Sequence, residues 1–235
     1  MPYSNVLANF DIDGTLLTMW DVHTAAYART VEELYGIKGF NFREHYETGC
    51  TVQETVVSNL RHAGHSDNFI NKGIARVPEL MAANYQHLLS EDSFASKITV
   101  LPGVIELLER LNKENILAGV ITGNRSEVAR LMLQRAGLSR YLLYLSTADD
   151  GETREQRIMG AIGKAQEISG FEYEKRRVFF FDDADKSIPV SRKLGIRPIA
   201  VCTGELGRDA LERAKPDYLL DNLADTEGII GILKE

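Results

Sequence analysis

Cysteine is scarce: Cys50 and Cys202 are the only two in 235 residues, far apart and without metal-ligand spacing. A disulfide scaffold is excluded, and a reducing compartment is expected. Proline is nearly as scarce, at 6, and the 19 glycines form no biased tract, which excludes collagen-like and low-complexity chains. Long apolar runs are missing too; none reaches the roughly 20 residues needed to cross a bilayer. The first apolar stretch is broken at once by Asp11 and Asp13, and no basic region precedes it. A targeting segment is therefore not expected, and the cytoplasm is the default location. Basic residues are outnumbered, 27 against 34 acidic, for a formal charge of −7. That balance argues against broad electrostatic binding to nucleic acid or to an anionic membrane, while leaving room for a local basic pocket.

What is present is the composition of an ordinary globular chain, 44% hydrophobic and 26% charged, long enough for one large domain or two modest ones. Short apolar runs end in polar turns. Val6 to Phe10 runs into Asp11-Ile12-Asp13-Gly14, Ile116 to Ile121 into Thr122-Gly123-Asn124, and Arg177 to Phe181 into Asp182-Asp183. Arg197 to Cys202 ends in Thr203-Gly204, and a weaker run, Tyr218 to Leu220, ends in Asp221-Asn222. Helical patterns lie between them at Val104 to Asn112, Ser126 to Arg135, Gln156 to Ile168 and Ile188 to Leu194. Strand–helix alternation of this kind predicts an α/β fold around a parallel, Rossmann-like sheet. In such sheets chemistry sits beyond the C-terminal strand ends.

The stretch from about Thr18 to Ser96 differs. Val22 to Leu34, Thr51 to Ala63, Asn68 to Ile74 and Pro78 to Leu89 read as helices, with no convincing strand among them, and all five histidines lie here. This predicts a helical insertion between the first strand and the rest of the α/β unit.

At the strand ends, Asp11 and Asp13 are two carboxylates that can converge on an oxygen-seeking cation. Gly14 permits a tight turn and Thr15 can tie the loop to itself. Read alone, the same residues could be a surface turn. Thr122 with Gly123 and Asn124 can take phosphate oxygens beside the start of a helix, or Asn124 or Ser126 can simply cap that helix. Asp183 ends a run that must be a central strand, where an acid is costly unless paired or metal-bound. Asp182, Asp183 and Asp185 crowd that loop and need a cation or solvent between them. A bound phosphate would need a basic partner: Arg154 is the candidate, with Arg157 and Lys164 as rivals.

These residues together resemble the haloacid-dehalogenase-like (HAD-like) hydrolases. Asp11-Ile12-Asp13-Gly14-Thr15-Leu16 matches the family's first motif, Thr122 the second and Asp183 the fourth. The Arg154 region resembles the third in its arginine form, found in phosphoglycolate-phosphatase-like members. Two departures stand out. Asp182 occupies the usual glycine of the fourth motif and Ser187 its outer acid, leaving Asp182 or Asp185 to compensate, and the third motif lacks the common Lys-Pro pair.

The resemblance implies an α/β core of about residues 1–17 and 97–235 and an α-helical cap over 18–96. It implies a phosphatase acting on a small phosphorylated metabolite, of the phosphoglycolate or sugar-phosphate kind. Asp11 would be nucleophile, Asp13 acid and base, and Thr122, Gly123, Asn124 and Arg154 would bind phosphate. Mg²⁺ would be held by Asp11, the Asp13 carbonyl, Asp183 and water, and the chain would be a monomer or homodimer. An acid at Asp13 sets it apart from relatives that dehalogenate. A phosphomutase, or a binding protein whose activity has decayed, are the alternatives.

Substrate choice is expected in the cap. Trp20 and His23 are candidates to line its entrance; the plainer reading is that Trp20 packs a hinge and His23 is an exposed helical residue. Arg43, His45, Glu47, Thr51 and Gln53 form a polar segment that could read a substrate or be a solvated loop. His62 and His65 lack a third ligand for a metal, and Cys50 is not expected to be a nucleophile.

Overall fold

The computed structural model describes residues 3–46 and 48–235. The strands are β1 (Leu7–Phe10), β2 (Leu17–Thr18), β3 (Thr99–Val100), β4 (Leu117–Ile121), β5 (Leu145–Ser146), β6 (Val178–Asp182), β7 (Arg197–Val201) and β8 (Tyr218–Leu220). The helices are α1 (Trp20–Tyr35), α2 (Val52–His62), α3 (Asp67–Ile70), α4 (Val77–Ser90), α5 (Asp92–Ala95) and α6 (Val104–Lys113). They continue with α7 (Ser126–Arg135), α8 (Arg154–Ser169), α9 (Ser187–Lys193), α10 (Arg208–Arg213) and α11 (Thr226–Lys234).

Six strands form one parallel sheet in the order β5-β4-β1-β6-β7-β8. Helices cover both faces, so the central strands read as unbroken apolar runs rather than alternating ones. In β6, Phe179 and Phe181 enter the core on one face, where Phe181 stacks on Phe10 at 4.6 Å, while Phe180 packs into the core on the other. The one polar residue in the middle of β1, Asn9, is fully buried and bonded through both its amide nitrogen and its amide oxygen. It donates to the Phe179 carbonyl at 3.2 Å and accepts from the Tyr144 hydroxyl at 2.7 Å. A buried amide is tolerable on those terms only.

The strand order places β1 between β4 and β6, where the chain turns from building one side of the sheet to building the other. Crevices form at such switch points, beyond the carboxyl ends of the strands. Asp11, Thr122 and Asp183 each follow one of these three ends.

The inserted segments α1 to α5 form a helical cap on this core. The chain leaves and re-enters through β2 and β3, which pair antiparallel with Leu17 opposite Val100 and Thr18 opposite Thr99. Within the cap α1 packs on α4, and α4 reaches across to α7 of the core. The expected helix over Asn68 to Ile74 is instead α3 followed by a separate 3₁₀ turn at Ile74–Arg76. The helix expected from Gln156 starts two residues earlier, because Thr153 and Gln156 cap its first turn reciprocally.

Candidate active site

The loop after β1 is built around one carbonyl. The Ile12 oxygen accepts from the backbone N–H groups of Leu16 and Leu17 at 2.9 and 3.0 Å, while Gly14 N–H donates to the Leu17 carbonyl at 2.9 Å. Gly14 sits at φ +75°, in the left-handed region, and its carbonyl accepts from the Thr203 hydroxyl at 2.6 Å. Thr203 therefore ties this loop. Thr15, expected to do so, keeps its hydroxyl buried and without a partner among the described residues. The Asp183 carboxylate is seated against backbone: a Cβ at Gly14 or at Gly204 would overlap it. Glycine at both positions is what lets an acid from β6 approach the β1 loop so closely.

Asp11, Asp182 and Asp183 converge, their carboxylate oxygens lying within 4.8 Å of one another. Burial, with mutual repulsion added, pushes the Asp11 and Asp183 carboxyls well above the ordinary aspartate range. Hard oxygen donors converging in a buried pocket form a site able to coordinate a divalent metal. Asp185, half-buried, stays outside this cluster. Ser187, at the position where an outer acid was expected, turns its hydroxyl onto the Ala184 carbonyl at 2.7 Å.

Arg154 begins α8 and forms an ion pair with Asp182, whose other oxygen accepts from Ala184 N–H at 2.9 Å. Its Nη2 also donates to the Gly49 carbonyl in the cap at 3.4 Å. Asp182 thus holds Arg154 at the edge of the acid cluster. Of the two rivals, Lys164 is drawn away from the site, donating to Asp150 at 2.6 Å and to the Leu145 carbonyl at 2.7 Å. Arg157 stays and lines the chamber.

Thr122 is nearly buried after β4, and its hydroxyl oxygen accepts from Asn124 N–H and Nδ2 at 3.2 and 3.1 Å. The hydroxyl hydrogen is left to donate. Neither Asn124 nor Ser126 caps α7: Arg125 is the N-cap residue, and the Asp149 carboxylate takes Ser126 N–H at 2.8 Å.

Asp13 is held from two sides. Asn124 Nδ2 donates to its Oδ2 at 2.7 Å, and His23 Nε2 meets its Oδ1 at 2.9 Å. The other ring nitrogen of His23 lies 2.7 Å from the Tyr85 hydroxyl. With Nε2 donating to Asp13, Nδ1 accepts from Tyr85, which burial keeps protonated far above its ordinary range. His23 is buried, not the exposed helical residue the sequence suggested. A signal for this was present: Val22, His23, Ala26, Tyr27, Thr30 and Val31 form one buried stripe on α1.

Asp11, Asp13, Asp183, Thr122, Gly123, Asn124 and Arg154 all line one chamber of about 90 Å³. Aromatic side chains of the cap close its far side, among them Trp20, Tyr27, Phe42, Tyr46 and Tyr85. Trp20 packs and lines at once, stacking on Phe42 at 6.1 Å beneath the Arg43 guanidinium at 4.7 Å. Arg43 pairs with Glu205 of the core at 3.1 Å. Thr51 lines the chamber and caps α2, whereas Gln53 Nε2 donates to the Ile74 carbonyl. His45 stacks on His62 at 3.7 Å, and Glu47 lies outside the described residues.

Residues 9–201 match the family model described as haloacid dehalogenase-like hydrolase. The chain is 27% identical over 220 residues to validoxylamine A 7'-phosphate phosphatase of Streptomyces hygroscopicus subsp. limoneus, covering 93% of this chain and 94% of that one. It is 26% identical over 216 residues to phosphoglycolate phosphatase of Synechococcus elongatus, covering 92% of each. In fold it is similar to the haloacid dehalogenase-like family protein SP0104 of Streptococcus pneumoniae, with a TM-score of 0.74 at 16% identity over 96% of this chain and 98% of that one. With the model spanning most of the chain and the aspartates of a phosphomonoester hydrolase gathered in one chamber, the chain belongs to the haloacid dehalogenase-like hydrolases.

Proposed function

We propose that this enzyme is a Mg²⁺-dependent phosphatase that hydrolyses a small phosphomonoester through an aspartyl-phosphate on Asp11. The observation that carries this reading is the convergence of Asp11 and Asp13 with Asp183, Thr122 and Arg154 around one chamber. An Asp11 oxygen attacks phosphorus as the bond to the leaving oxygen breaks, and Asp13 gives that oxygen its proton. Asp13, now a carboxylate, takes a proton from water. The resulting hydroxide attacks the same phosphorus, releasing inorganic phosphate and free Asp11. His23 and Asn124 fix the Asp13 carboxyl so that one group serves both steps. Thr122 and Arg154 hold the non-reacting phosphate oxygens. Asp11 and Asp183, with the Asp13 carbonyl, would hold Mg²⁺, which when bound screens the acid cluster from the phosphate dianion.

The chamber of about 90 Å³, walled by the cap aromatics, favours a compact substrate of the phosphoglycolate kind over a bulky one. Relatives that print different substrates stand at nearly the same identity and do not decide between them.

Free phosphate released from a panel of small phosphomonoesters, with Mg²⁺ and with a chelator, is the test. Wild type is expected to release it only with the metal, and Asp11→Asn and Asp13→Asn to release none. Isomerised substrate without free phosphate, or unchanged release by Asp11→Asn, would refute the reading.

A further inference from the structure

Arg157 stands in the first turn of α8 and is 5% exposed. A cation there gains nothing from the helix, whose N-terminal field favours negative charge. Buried arginines are ordinarily paired with acids. Arg157 has no carboxylate within ion-pair distance among the described residues. Its Nη1 donates to the carbonyls of Gly151 and Glu152, both at 3.0 Å. Among the described residues Nε and Nη2 have no hydrogen-bond partner, yet neither is sealed off from the space beside it. Burial, and the Arg154 charge next to it, outweigh the attraction of Asp11, Glu54 and Asp182 and pull its proton affinity below the ordinary guanidinium value. The charge is thus costly where it stands, and an incoming anion would relieve that cost.

Its position says which anion. Arg157 lines the catalytic chamber and also the adjoining groove between cap and core, along with Gln53, Met81 and Glu152. Asp11, Thr122 and Arg154 line the chamber alone. With the transferred phosphate on those three, the groove that Arg157 shares with the chamber is the space left for the leaving group. Among the described residues, the other arginines that line the chamber or this groove are paired: Arg154 with Asp182, and Arg125 with Asp149 at 3.2 Å.

We infer that Arg157 binds a second oxyanion, carried on the leaving group of the substrate. The inference rests on the phosphatase reading above and narrows it. The substrate is a compact phosphate ester or anhydride whose leaving group is itself an anion, either a carboxylate or another phosphate. Neutral alcohols of the same size are discriminated against, because they leave a buried cation uncompensated.

Three probes of similar size separate the possibilities: 2-phosphoglycolate, inorganic pyrophosphate and 2-hydroxyethyl phosphate. Each is assayed with Mg²⁺ against wild type, Arg157→Gln and Arg157→Lys. Gln removes the charge and keeps a polar donor, while Lys keeps the charge on a long stem, so the two together separate charge from loop bracing. The expected result is a wild-type kcat/KM at least about 30-fold higher for one anionic probe than for 2-hydroxyethyl phosphate. That preference should vanish in Arg157→Gln and survive in part in Arg157→Lys, with the neutral probe unchanged within about threefold. Whichever anionic probe is preferred identifies the oxyanion as carboxylate or phosphate. Equal kcat/KM for all three probes, or a parallel loss on all of them in Arg157→Gln, would overturn the inference and leave Arg157 as a loop brace only. If wild type turns over none, the phosphatase reading fails, and calorimetric binding of the same probes decides on Arg157 by itself. Tighter binding of an anionic probe that Arg157→Gln abolishes keeps the site; no such difference ends it.

Discussion

Single residues set the chemistry here by what holds them. Asp13 takes one bond from the core, through Asn124, and one from the cap, through His23 and behind it Tyr85. On the proposed reading Asp13 is the acid–base group, and a carboxyl fixed from both sides is aimed only while the cap is in place. His23→Ala is expected to lower kcat about tenfold or more and to change KM little, as read from steady-state kinetics. A fall in kcat/KM carried entirely by KM would contradict this role. Asp183 depends on absent side chains in the same way. Gly204→Ala is expected to push the carboxylate out of its seat and weaken Mg²⁺ binding about tenfold or more, measured by metal titration of activity.

The convergence of Asp11, Asp13, Thr122 and Asp183 on one chamber was legible from their residue types and their places at strand ends. His23 does line the chamber, as one of its two readings had it; the plainer reading, an exposed helical residue, failed because its contact with Tyr85 lies 62 residues away and leaves no local pattern. Asp182 was legible only as a departure; its pairing with Arg154 requires the two strand–helix junctions to be side by side.

At the scale of elements, the central strands are sorted by burial and held by a few polar ties. Asn9 links β1 to β6 and, through Tyr144, to the segment leading into β5. Asn9→Leu would leave the Tyr144 hydroxyl buried without a partner, and chemical denaturation should show a loss of about 1–3 kcal/mol. The junction between β5 and α8, which presents Arg154 and Arg157, is braced by Asp150. Burial alone would raise the Asp150 carboxyl, but Lys164 and the Thr147 donors outweigh it and hold it below the ordinary value of 3.8. A carboxyl lowered in the folded state stabilises above its unfolded pKa and stops doing so as pH falls through its folded one. Asp150→Asn should therefore melt below wild type at neutral pH, with the gap closing under about pH 3.8 in a pH series of melting curves. The main strands and helices were visible from periodicity. β2, β3 and β5 were not, because two residues carry no period and exist only through their partners. α10 and α11 went unread as well: α10, six residues long, has one buried side chain, and α11 follows the weakest strand signal.

At the scale of the whole molecule, the ends of a parallel sheet supply the acid cluster and the polar groups of the chamber, and the helical cap supplies its aromatic walls. The two meet at a few contacts, among them Arg154 to Gly49, Arg43 to Glu205, and Gln86 to Glu127 at 3.1 Å. All of these lie around the chamber mouth or on α4, while the β2–β3 pair is the covalent connection. We take that pair as the hinge, with the division at residues 17 and 97. This explains why the cap could be read as an insertion but not positioned: its seat on the core is made of long-range pairs. The negative total charge is partly explained too, since Asp11, Asp182 and Asp183 are gathered at one place where a cation would reverse their repulsion.

The account stands on Asp11 as the atom donor to phosphorus. The most direct measurement is rapid acid quenching during turnover with Mg²⁺, followed by mass spectrometry of the peptide that contains Asp11. A phosphoryl group on Asp11, absent in Asp11→Asn, is the predicted result; turnover with no phosphorylated Asp11, or with phosphate on another residue, would contradict it.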